Sequence, residues 1–95
     1  MRLDRQIIEF FKQAIVEIRP DAKVYLFGSR TSDVALGGDI DILILSNKLI
    51  EKSIMRSIRI DFYQKSGWQK VDLVNFTYSN ESAFKQLILS NAIEL

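Results

Sequence analysis

Ninety-five residues, 47% of them apolar and 26% charged, describe a globular chain of single-domain size, without the low hydrophobicity of a disordered one. Cysteine and histidine are both absent, which excludes disulfides, thiolate nucleophiles, cysteine-ligated zinc and every catalytic device built on an imidazole base. Thirteen basic against twelve acidic residues leave a formal net charge of +1, so charge gives no global argument for nucleic-acid binding. Chemistry in such a chain must rest on carboxylates, hydroxyls, cations and a hard metal ion.

From Leu3 to Arg19, apolar residues fall at Leu3, Ile7, Phe11, Ala14, Ile15 and Ile18, the spacing of a helix that Arg19-Pro20 stops. Lys23-Val24-Tyr25-Leu26-Phe27 is short, aromatic and β-branched, and reads as a strand. Gly28-Ser29 breaks it. A short helix is expected from Ser29 towards Ser32, then a glycine-rich stretch through Gly37-Gly38. Asp39 to Leu45 is the clearest strand, and its apolar second half predicts a central position covered on both faces.

Ile50, Ile54, Ile58 and Phe62 recur every four residues and mark a second long helix from about Lys48 to Ser66, ended by Gly67. Met55 belongs with the isoleucines in its core stripe. Val71 to Phe76 forms a third strand, and Glu81 to about Ser90 a final helix that Asn91 caps. The order helix, strand, strand, helix, strand, helix predicts one α/β (α+β) domain over residues 1–95, with a mixed sheet of three to four strands packed by helices. The longest apolar runs are four residues, Val24 to Phe27 and Ile42 to Leu45, far short of the roughly 20 a membrane helix needs. No apolar h-region follows Met1-Arg2-Leu3-Asp4, so a cytoplasmic location is expected.

Three pieces of this layout carry chemistry. Gly28-Ser29 follows a strand and opens a short helix, where glycine allows close approach of a ligand and free amides favour an anion. Alone, the pair also reads as a plain turn with a capping serine. Asp39 and Asp41 stand two residues apart on a strand, so their side chains leave one face. Such carboxylates repel unless a cation sits between them, or unless both are solvated at a fraying strand end. Asp72 interrupts an apolar strand. If that strand lies beside Asp39 to Leu45, Asp72 completes an all-oxygen site suited to magnesium. Otherwise it is an isolated acid on an edge strand.

Together these pieces form a pattern: Leu26-Phe27-Gly28-Ser29-Arg30, nine residues from Arg30 to Gly38, then Asp39-Ile40-Asp41-Ile42-Leu43, and later Val71-Asp72-Leu73-Val74. The pattern resembles the nucleotidyltransferase superfamily related to DNA polymerase beta. The small size makes the chain look like the minimal nucleotidyltransferases, the antitoxin halves of pairs whose other half is a HEPN-domain ribonuclease. The resemblance covers roughly residues 22 to 76 at motif level and nearly the whole chain in element order. The nine-residue interval is one shorter than in many members, a small change of register in a loop.

The resemblance implies transfer of AMP, or another NMP, from ATP or another NTP to a hydroxyl. Asp39, Asp41 and Asp72 would be the catalytic, metal-binding acids, holding two magnesium ions, with manganese an alternative of the same chemistry. Asp72 would also help place the metal that acidifies the attacking hydroxyl. Gly28, Ser29 and Arg30 would meet the triphosphate. Ninety-five residues leave no room in this chain for the acceptor-binding domains of larger relatives, so the acceptor is expected on a partner. The family implies a tyrosine of the HEPN toxin, with no membrane and no direct nucleic-acid binding. The alternative is a non-catalytic nucleotide-binding module that neutralises a partner by masking it. Lys23, Lys70, Arg56 and Arg59 read as solvated cations, with a basic rim the alternative, and Trp68 as a partly buried packing residue, with stacking on a base the alternative.

Overall fold

The computed structural model describes residues 5–27, 40–67 and 70–95. The elements run α1 (Arg5–Ile18), β1 (Lys23–Leu26), β2 (Ile40–Ser46), α2 (Lys52–Ser66), β3 (Val71–Thr77), α3 (Ala83–Ser90) and β4 (Ile93–Glu94). They build one four-stranded mixed sheet in the order β3-β2-β1-β4. β2 runs antiparallel to β1 and parallel to β3, because the whole of α2 carries the chain from one end of β2 back to the start of β3. The domain is α+β, as the sequence predicts, and β2 is a central strand with Ile42 to Ser46 all buried.

Alternation along the strands sorts side chains into two layers. Val24, Leu26, Ile40, Ile42, Ile44 and Val71 face α1 and α2 and form the main core with Phe11, Ile15, Met55, Ile58 and Phe62. Leu43, Leu45, Val74 and Phe76 face the other way, where Ile88 and Leu89 of α3 cover them. Phe10, absent from the spacing that predicts α1, also packs on the main core, with its ring 5.2 Å from Phe11 and 5.7 Å from Phe62.

Several boundaries differ from expectation for visible reasons. α2 begins at Lys52, four residues after Lys48, because the segment before it is held extended by side chains. The Ser46 hydroxyl donates to the Lys48 carbonyl, the Asn47 amide donates to Asp21 Oδ2, and the Ile50 amide donates to Asn75 Oδ1. Asn75 also donates through Nδ2 to the Ile44 carbonyl and to Ser46 Oγ. Asn75→Ala is therefore expected to cost about 1–3 kcal/mol, since it orphans the part-buried Ile50 amide; urea denaturation reads the loss.

α3 begins at Ala83, after Ser82, whose hydroxyl accepts from the Lys85 amide as an N-cap. Lys85 itself is only 6% exposed. Its ammonium donates to the carbonyls of Thr77, Tyr78 and Asn80, so all three donors are used in closing the turn between β3 and α3. Lys85→Met keeps the stem and leaves three carbonyls without their donor; a loss of about 2–4 kcal/mol in thermal denaturation is expected.

Gly67 ends α2 at φ 81° and ψ 173°, a region essentially reserved for glycine, and its amide donates to the Tyr63 carbonyl. A methyl group there would meet no atom within 4 Å. Gly67→Ala should nonetheless destabilise by about 1–3 kcal/mol, because the cost is in the backbone and not in space. A melting temperature equal to that of the unaltered protein would contradict this.

Candidate functional site

The acidic strand β2 and the interrupted strand β3 are hydrogen-bonded neighbours. In their register Ile40 stands opposite Val71 and Asp41 opposite Asp72. Adjacent strands are about 4.8 Å apart, so the two carboxylates leave the sheet side by side. Both lie on the face that carries Leu43 and Val74, opposite the layer of α1 and α2. Asp72 is exposed and Asp41 half-buried.

The end of β1 comes to the same place. The Phe27 amide donates to the Asp41 carbonyl at 3.0 Å, one step beyond the pair Leu26 and Ile42. Phe27, Asp41 and Asp72 thus form one row across the sheet, on three strands or their extensions. The chain leaves β1 towards Gly28 and re-enters β2 from Asp39 at this row. The Ile40 amide donates to the Lys70 carbonyl, which fixes the start of β2 against the start of β3.

Of the six candidate residues, Asp41 and Asp72 are brought together. Gly28, Ser29, Arg30 and Asp39 lie outside the described residues, as do the expected helix from Ser29 towards Ser32, the Gly37-Gly38 stretch and Trp68. Among the described residues no group of three acids is gathered; Asp41 and Asp72 are a pair. Their chemistry fits a hard divalent cation: two carboxylates, oxygen donors only, adjacent in register and open to solvent on the Asp72 side.

The four cations read as solvated do not gather around this row. Lys23 stands opposite Leu45, at the far end of β1, while Lys70 precedes β3 at the near end. Arg56 and Arg59 belong to α2, on the other face of the sheet, and line a groove there. Tyr25 shares the acid-bearing face, and burial, followed by the Glu94 carboxylate, raises its phenol above the usual value. Tyr78 is raised by burial first and then by Asp21, Tyr25 and Glu94; its hydroxyl donates to the Asp21 carbonyl at 2.6 Å. Both phenols are therefore fully protonated at neutral pH.

Sequence reasoning missed Asn75 and Lys85, the polar anchors of the loops that flank β3. A half-buried amide in a strand and a lysine on an apolar helix face carry no local signal of their partners.

Solved structures share this fold. A chain in the structure of the tri-AMPylated Shewanella oneidensis HEPN toxin in complex with MNT antitoxin matches 94% of this chain at 22% identity, with a TM-score of 0.63. A chain of a mutant MntA–HpeT toxin–antitoxin matches 99% at 23% identity and TM-score 0.72. A chain of a toxin–antitoxin crystallised with AMP-PNP matches 90% at 19% identity and TM-score 0.70. This chain spans 65%, 72% and 69% of those three chains. No curated protein sequence matches it. The family model for the nucleotidyltransferase domain matches residues 5–95, which takes in both strands of the acid pair and every element described above. The chain belongs to the nucleotidyltransferase domain family.

Proposed function

We propose that this protein is a magnesium-dependent nucleotidyltransferase that moves AMP, or another NMP, from an NTP to a hydroxyl on a partner protein. The observation that supports this most is the register pairing of Asp41 with Asp72 beside the end of β1, in a chain of the nucleotidyltransferase family. In this reading Asp39 joins the pair. Asp39, Asp41 and Asp72 would hold magnesium, which would supply neutralisation of the triphosphate charge and a lowered pKa for the attacking hydroxyl.

The chain's own residues position the reaction. Gly28 and Ser29 bind the triphosphate through backbone amides and the serine hydroxyl. Arg30 meets a phosphate oxygen. The acceptor oxygen forms a bond to the α-phosphorus as the bond to pyrophosphate breaks, and Asp72 takes the acceptor's proton. Phosphate displacement of this kind needs charge and alignment, not an imidazole or a thiolate.

The partner we propose is a HEPN-type ribonuclease toxin and the acceptor one of its tyrosines, with this chain as the antitoxin. The relatives that share the fold come from toxin–antitoxin complexes, one AMPylated on the toxin and one carrying AMP-PNP. A second reading, a module that masks its partner without catalysis, draws on Phe84 and Leu87, which α3 exposes at 58% and 64%. Substitution separates the two. Asp41→Asn with Asp72→Asn is expected to abolish neutralisation of the toxin while co-purification with it persists. Full neutralisation by the double variant would establish masking and overturn catalysis.

A further inference from the structure

β3 is an edge of the sheet, and the phase of its hydrogen bonds is known at both ends. The Ile40 amide donates to the Lys70 carbonyl, and the Tyr78 amide donates to the Ser46 carbonyl. Even-numbered residues of β3 therefore bond to β2. Val71, Leu73 and Asn75 turn their amides and carbonyls outward, where no strand pairs with them among the described residues.

A groove of about 390 Å³ lies alongside, between α2 and the core-facing side of β3, opposite the acid pair. Leu49, Met55 and Leu73 give it apolar walls, and Leu49 is 57% exposed. Its other wall carries Lys52, Arg56 and Arg59, one stripe at helical spacing on α2. No acidic side chain lines it, and these three cations form no ion pair among the described residues.

Two independent needs meet here: unpaired strand edges and unpaired positive charge over apolar walls. Native proteins normally blunt or cover such an edge. A second copy of this chain would meet the first across a two-fold axis and set one cationic stripe against another, a repulsive arrangement. A polynucleotide would answer the charge and leave the strand edge unpaired.

We propose that the groove and the outer edge of β3 bind an extended segment of a partner protein, whose inward side chains alternate between acidic and apolar. Its backbone pairs with Val71 and Leu73, and its carboxylates meet Lys52, Arg56 and Arg59. Because the acid pair lies on the opposite sheet face, failure of this proposal leaves the transferase reading standing, and the converse holds.

The test uses a capped, fluorescein-labelled octapeptide of sequence Glu-Thr-Val-Thr-Glu-Thr-Val-Thr, whose residues on one strand face alternate glutamate and valine, titrated into the protein to millimolar concentration at low salt. Lysine–valine peptide and single-stranded oligouridylate are titrated in parallel. We expect saturable binding of the acidic peptide alone, slowed hydrogen exchange at the Val71 and Leu73 amides, and at least a tenfold loss of affinity in Arg56→Glu with Arg59→Glu. Lys52→Glu, on an exposed side chain, gives a smaller loss in the same direction and guards against misfolding of the double variant. Absence of binding, binding without slowed exchange at those two amides, or equal binding of the lysine peptide or the oligouridylate would each overturn the proposal.

Discussion

Asp72→Asn is expected to lower nucleotidyl transfer by about 10²–10⁴-fold, because charge stabilisation at the transferring phosphate contributes several kcal/mol to the barrier. The same change is expected to stabilise the metal-free fold. Asp41 and Asp72 stand directly opposite in the parallel register, and like charges so placed destabilise a sheet by about 0.2–1 kcal/mol. Removing one charge removes that repulsion, so the melting temperature in EDTA should rise by a few degrees at most. In magnesium the order is expected to reverse: the unaltered protein should gain stability through binding the ion in its native state, and the variant should gain little. This crossing of the two melting curves is the signature of an acid pair built for a cation. A variant that loses stability in EDTA would show instead that Asp72 serves the fold.

The second large effect concerns the core that holds the acid-bearing strands in place. Phe62 is buried on α2, with its ring 5.0 Å from Phe11 and 5.7 Å from Phe10, both on α1. These three rings join the two helices that cover one face of the sheet. Phe62→Ala removes the middle of the cluster and leaves a cavity that flanking rings cannot close, at a cost of about 3–5 kcal/mol. A domain of this size holds roughly 5–15 kcal/mol in all, so about a fifth or more of the stability goes. The melting temperature should fall by about 12 °C or more. By contrast Lys65→Ala, which removes an exposed ion pair with Asp61 and a cation 5.5 Å from the Phe10 ring, should change the stability by about 1 kcal/mol or less.

Much of the fold is legible because its signals are local. The apolar second half of Asp39 to Leu45 describes a strand covered on both faces, and β2 is a central strand buried from Ile42 to Ser46. The four-residue recurrence from Ile50 to Phe62 places the inner stripe of α2, with Ile60 off the stripe and half-exposed. The adjacency of Asp72 to the acidic strand follows from element order and from resemblance, and the parallel register gives it residue by residue.

What is not legible depends on distant partners. β4 is two residues long, Ile93 and Glu94, and exists because it can pair with Tyr25 and Leu26. Nothing in Ala92-Ile93-Glu94-Leu95 marks a strand by itself. The start of α2 is set by Asn75, more than twenty residues away, and the turn before α3 by a lysine that general preference would leave in solvent. In the site, two of the three acids are read correctly as neighbours from spacing and resemblance, while the edge of β3 and its cationic groove arise only when α2 is laid beside the sheet.

The most direct measurement supplies the purified protein with magnesium and ATP labelled on the α-phosphate, in an extract of the source organism. The account predicts a labelled protein band that survives nuclease, disappears with protease and is absent with Asp41→Asn or Asp72→Asn. ATP binding without any labelled protein, in an extract from which the chain captures its partner, would contradict it.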